Sequence, residues 1–227
     1  SWNWKAGGTP SINTDGTITS LVSANQAAGF SVVSYSGNST SGATVGHGLD
    51  AAPELILFKA LNSSASWIVY STPELGDNKY LTLNDSHAGV TATNWLNTNS
   101  TNFTLNQTFS NCNTSGINYI AYNFTSISGY SKVGTYTGTG VAGEAGSLVN
   151  VGFLPQFVFV KRTDAANQWV VSSTLLGYND LYWNLSDAQF ASGTLYGAHY
   201  TSSGFFFNTA DGSRNASGAT YIYMAIA

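Results

Sequence analysis

The chain repeats itself, and the repeat limits what it can fold into. PELILFK at 53–59 returns as PQFVFVK at 155–161. Trp67-Ile68-Val69 returns as Trp169-Val170-Val171, and Ser71-Thr72 as Ser173-Thr174. Tyr80, Leu83 and Asp85 match Tyr182, Leu185 and Asp187, and Phe103 matches Phe205. Asn113-Thr114-Ser115-Gly116 matches Asn215-Ala216-Ser217-Gly218, and Tyr119-Ile120 matches Tyr221-Ile222. Pro53 recurs as Pro155 and Tyr119 as Tyr221, an offset of 102 residues. GFSVVSYSG at 29–37 and GYSKVGTYTG at 129–138 match before small gaps. Each copy must therefore be one supersecondary unit that buries its own apolar face or shares it with its twin. The division expected is a lead-in segment 1–28, a first β repeat 29–126 and a second 127–227.

Each repeat reads as strand. Tyr119–Phe124 alternates, with Ile120, Tyr122 and Phe124 on one side and Tyr119, Ala121 and Asn123 on the other. That period of two belongs to a strand with unlike faces. Leu55–Phe58 and Phe157–Val160 are apolar on both sides, which suits central strands, and a Pro opens each run where its missing N–H harms no ladder. Turn clusters separate the runs, and strong helix signals are absent. The expected fold is all-β: two tandem, repeated, antiparallel β-sandwich-like units. Gly138–Gly146 is expected to be a flexible loop tip.

Composition excludes several functions. Charged residues make up 8% of the 227, against about 25% in a typical domain. Seven Lys+Arg face eleven Asp+Glu, so no basic surplus exists to neutralise phosphates. The apolar fraction of 43% supports a core, and no apolar run reaches the length of a membrane-spanning helix. One cysteine, Cys112, allows no internal disulfide. A neutral, Ser/Thr/Asn-rich surface fits an extracellular setting. Ten N-x-[ST] sequons are explained first by composition, with glycosylation left open. The chain starts at Ser1 without an apolar leader, which reads as a piece of a longer or processed polypeptide.

No reaction is written in the motifs. There is no G-x-S-x-G elbow. His47, His87 and His199 are scattered outside metal spacings, and no metal or cofactor is expected. His47–Asp50 reads as a solvated loop. Asp85 and Asp187 occupy matching places, one per unit, and read as turn caps rather than a paired acid and base. The Asp77-Asn78 and Asn179-Asp180 pairs read as turns, since calcium wants six to eight oxygens. Aromatics are the suggestive feature. Those kept in both copies are assigned to the core. Trp95, Trp183, Tyr178 and Tyr196 are not repeated as such, and Trp183 lies among Asn179, Asp180 and Asn184. A flat ring beside amides and a carboxylate can stack on a sugar and bond its hydroxyls. These seven residues form the candidate glycan site, with ordinary packing or contact with another subunit as the alternative use. Trp2 and Trp4 are expected to anchor the lead-in.

The ordered pattern GFSVVSYSG, VGHGL, APELILFK, WIVY and NASGATYIYMA resembles a duplicated β domain of unknown function found in large structural or tail-appendage proteins of marine bacteriophages. WKAGGTPSINTDGTITS at 4–20 is similar to the segment that opens that domain. The likeness covers nearly the whole chain. One departure is FKALNSSAS in the first repeat, where the family more often keeps a basic run such as FVKR at 159–162. The resemblance implies a non-enzymatic virion protein, in a tail fibre or appendage that contacts the host surface, with no catalytic residues to carry over. A capsid decoration or scaffold module and an extracellular carbohydrate-binding or adhesin domain are the rival readings. The partners expected are other virion proteins, a host-surface glycan and further copies of the chain, a trimer among the arrangements. No nucleic acid and no membrane insertion are expected.

Overall fold

The computed structural model describes residues 3–106, 111–177, 179–188 and 196–227. The chain divides into two compact units, Ser1–Thr82 with Val90–Ser126, and Leu83–Gly89 with Ile127–Ala227. Both are built of antiparallel strands, so the fold is all-β and sandwich-like.

In the first unit the strands are β1 (Ser11–Asn13), β2 (Ser20–Asn25), β3 (Phe30–Ser36), β4 (Ala43–Gly46), β5 (Leu55–Ala60), β6 (Ile68–Ser71), β7 (Lys79–Thr82), β8 (Val90–Thr91), β9 (Leu96–Thr98), β10 (Asn102–Leu105) and β11 (Asn118–Phe124). The large sheet runs β1-β2-β3-β11-β5-β6-β7-β8, and β4-β10-β9 forms a small sheet. Val33, Tyr35, Ile56, Phe58 and Tyr119 of the large sheet meet Val45, Leu96, Phe103 and Leu105 of the small one in a single core. Tyr119 and Ala121 point into this core, while Ile120 and Tyr122 are only half-buried on the outer face.

The second unit holds β12 (Ser131–Thr137), β13 (Val149–Asn150), β14 (Phe157–Arg162), β15 (Trp169–Ser173), β16 (Asp180–Tyr182), β17 (Ala198–Thr201), β18 (Gly204–Phe207) and β19 (Thr220–Ile226). Its sheets run β12-β19-β14-β15-β16 and β13-β18-β17. This is the order β3-β11-β5-β6-β7 and β4-β10-β9 again, strand for strand. The apolar runs become β5 and β14, each paired on both edges.

The structure adds two things to the sequence division. The lead-in supplies β1 and β2, which extend the first unit's sheet beyond β3, and Trp4 packs on Phe30 and Phe124 at 6.4 and 5.9 Å. Leu83–Gly89 comes from the first repeat but belongs to the second unit. Trp2 lies outside the described residues.

A hydrogen-bonded corner explains the repeated Asn and Tyr. Tyr35 Oη donates to the Cys112 carbonyl at 2.7 Å, and Tyr136 Oη to that of Arg214 at 2.6 Å. Asn113 Oδ1 accepts the Asn38 N–H at 3.1 Å, and its Nδ2 donates to Thr40 O at 2.9 Å. Asn215 does the same for Thr139 and Val141 at 2.8 and 2.9 Å. Gly37 and Gly138 let the backbone pass: a Cβ there would stand 2.4 Å from Thr114 O and 2.2 Å from Ala216 O. The Gly138–Gly146 stretch is closed rather than loose. It leads into a single turn, α1 (Glu144–Ser147), with Thr139 Oγ1 bonded to Gly146 O at 2.6 Å and Ser147 Oγ to Phe207 O at 3.0 Å.

Candidate functional site

The seven residues of the expected glycan site do not form one platform. Trp95 lies in the first unit's core, 1% exposed, edge-on to Phe58, Tyr70 and Tyr80, with its indole N–H donating to Lys79 O at 2.9 Å. No face of that ring is left for a sugar. Tyr178 lies outside the described residues. The other five belong to the second unit but serve different neighbours. Trp183 packs on Phe159 and Phe157 at 5.0 and 6.2 Å. Asn184 accepts the Trp169 N–H at 3.0 Å and donates to Gln168. Asn179 closes a turn on Leu176 O at 3.2 Å. Asp180 is 1% exposed and faces Arg214. Strand alternation separates Asp180 from Trp183 despite their closeness in sequence. Tyr196 alone joins Asp180, through Arg214.

Arg214 is the residue that sequence reasoning passed over. It is 2% exposed. Its Nε donates to Asp180 Oδ2 at 2.8 Å, its Nη2 bonds the same oxygen, and its Nη1 meets Asp211 Oδ1 at 2.7 Å. Ser172 Oγ donates to the other Asp180 oxygen. The guanidinium stands 5.9 Å from the Tyr182 ring and 5.7 Å from that of Tyr196. Burial raises the Asp180 carboxyl, and the Arg214 charge opposes that rise. The first unit places Cys112, Asn78 and Tyr70 at the equivalent positions and fills the space with Trp95, where the second has Gly197. The signal was a lone Arg where its repeat has Cys. The Arg214–Asp180 pair itself is buried, so it specifies packing.

One open groove among the described residues lies on the first unit. A groove of about 360 Å³ crosses the outer face of β2, β3 and β11, among Ser34, Ser36 and Asn118. Ser36 Oγ donates to Asn118 Oδ1 at 2.6 Å. Ile12, Leu21 and Leu61 flank the groove at 73, 46 and 59% exposure. No charged residue lines it. Such a surface offers hydroxyl and amide groups between apolar shoulders, the recipe for a neutral, hydroxyl-bearing ligand. Ile12 and Leu21 belong to the segment outside the repeat, and Leu61 replaces Thr163.

The titratable groups are engaged elsewhere. His47 is fully buried, not in a solvated loop: Nδ1 accepts the Leu49 N–H at 3.1 Å, and Nε2 faces Asn99 O at 3.0 Å. Burial lowers its pKa below the ordinary 6.5. His199 pairs with Asn208 at 3.0 Å and stacks on Phe206. Burial raises the Cys112 thiol far above its usual range. Among the described residues no group of three His, Cys, Asp or Glu side chains could hold a metal ion, and no helix is long and apolar enough to cross a membrane.

The chain belongs to the family described as Domain of unknown function (DUF7483), whose model matches residues 1–227. No curated protein and no solved structure matches it.

Proposed function

We propose that this chain is a non-enzymatic structural module of a bacteriophage virion, part of a tail fibre or appendage that contacts the host cell surface, and that its ligand there is a neutral glycan. The observation that carries the reading is the uncharged groove on the first unit, with Ser34, Ser36 and Asn118 between Ile12, Leu21 and Leu61. Phosphate-rich ligands need cations that this groove lacks. A sugar needs hydroxyl partners and apolar shoulders, and both are there. The low charge of the chain and its resemblance to phage appendage domains supply the setting. Contact through one shallow groove is weak, and many copies on one virion would make it strong.

The test is a glycan array probed with the purified chain and with Ser34→Trp, which fills the groove from a half-buried outward position. Binding by the parent and its loss in the variant are expected. An array silent for the parent, or binding that Ser34→Trp leaves intact, overturns the glycan contact.

A further inference from the structure

The second unit incorporates a segment that its own repeat does not provide. Leu83–Gly89 belongs to that unit and lies along Lys161–Asn167. The Ser86 carbonyl accepts from Lys161 Nζ at 3.2 Å and from the Asn167 N–H at 2.8 Å, and the Gly89 N–H donates to Thr163 O at 2.8 Å. Lys161, Thr163 and Trp169 are 0, 6 and 0% exposed there. The Lys161 ammonium stands 6.0 Å from the Trp169 ring.

The first unit has the same strip. Lys59, Leu61, Ala65 and Trp67 stand where Lys161, Thr163, Asn167 and Trp169 stand in the second repeat. The backbone course agrees as well: the Leu61 N–H donates to Asn118 O at 2.8 Å, as the Thr163 N–H does to Thr220 O at 2.9 Å. Yet Leu61 is 59% exposed, and Lys59 and Trp67 are only half-buried. The counterpart of Leu83–Ser86 is Leu185–Ala188, which repeats Leu83 and Asp85 as Leu185 and Asp187. All four of its residues are exposed, Leu185 to 41%. Among the described residues, one strip thus stands without its covering segment and one segment without its strip.

We propose that a second copy of this chain lays Leu185–Ala188 along Lys59–Ala65 of the first, repeating between molecules the packing of Leu83–Ser86 on Lys161–Asn167. The Ala188 carbonyl accepts a hydrogen bond from the Lys59 ammonium, which has three donors and gives one to Ala65 O. Asp187 supplies the negative charge nearby, as Asp85 does for Lys161. The two surfaces differ and every copy has both, so the contact is heterologous and builds a ring or a filament. The proposal goes beyond the glycan reading and does not depend on it.

Sedimentation of the full chain over micromolar to millimolar concentrations tests it. The mass is expected to grow beyond one chain. Asp187→Lys, at an exposed position that does not endanger folding, is expected to abolish growth. Leu175→Asp, at an 83% exposed site off both surfaces, is expected to change nothing. A single-chain mass at every concentration overturns the proposal, as does association that Asp187→Lys leaves intact. Probing the glycan array with the Asp187→Lys chain separates the two readings, because that variant keeps the groove.

Discussion

Three buried sites make measurable statements at the scale of single residues. Arg214 and Asp180 are both out of water, so removing one strands the other's charge. Arg214→Ala is expected to cost about 3–5 kcal/mol of second-unit stability, read by denaturant unfolding. Lys161 is the second case. Burial pushes its ammonium down to about 8, while the unfolded chain returns it to 10.5. The folded form therefore binds its proton more weakly than the unfolded form, and stability rises with pH across that interval. Below about 8 the cost is fully present. Thermal melts between pH 8 and 10 are expected to show the gain, and Lys161→Met to flatten it. Cys112 is the third. Its thiol is buried and held protonated, so thiol reagents are expected to label it only after denaturation. None of these environments was legible beforehand. A lone Arg, Lys or Cys in a sequence shows its charge but not what surrounds it, and one of the two carbonyls that Lys161 bonds comes from residue 86.

At the scale of elements, period and spacing were strong guides. Alternation located β11 and β19, and the double-sided apolar runs located β5 and β14, because side-chain direction along a strand is fixed by the backbone. The same rule divides the residues of the expected glycan site. Asp180, Trp183 and Asn184 are close in sequence, but the carboxylate turns to Arg214 while the indole turns to Phe157 and Phe159. The excess of sequons also has a partly structural cause. Asn113, Asn123 and Asn215 are buried, and Asn113 and Asn215 spend their amides on the corner beside Gly37 and Gly138. Tyr35→Phe and Tyr136→Phe are each expected to cost about 1 kcal/mol, since each removes one hydroxyl bond to a corner carbonyl. Edges matter too. β2 covers β3, whereas β12, its counterpart in the second unit, is an edge that carries Lys132. Deleting residues 1–25 would open the β3 edge, and a lower melting temperature with aggregates on size exclusion is the expected result.

For the whole molecule, the sparse charge becomes a testable property. A groove without ionic groups binds a neutral ligand almost independently of salt. Raising ionic strength to about 1 M is expected to change glycan affinity less than about two-fold, as read by calorimetry. The sequence by itself determined that the chain is all-β, that it contains two matching units, and where most strands run. Those properties follow from local alternation and from self-comparison, and both are read without knowing any contact. Only the tertiary structure decided that Ser11–Asn13 and Ser20–Asn25 are strands of the first sheet and that Leu83–Gly89 belongs to the second unit. It alone showed that Trp95 is core, that Arg214 and Asp180 close on each other, and that Ile12, Leu21 and Leu61 flank one groove. The reason is physical: burial and pairing depend on residues tens of positions away, and a repeat says which residues are equivalent without saying what each one touches.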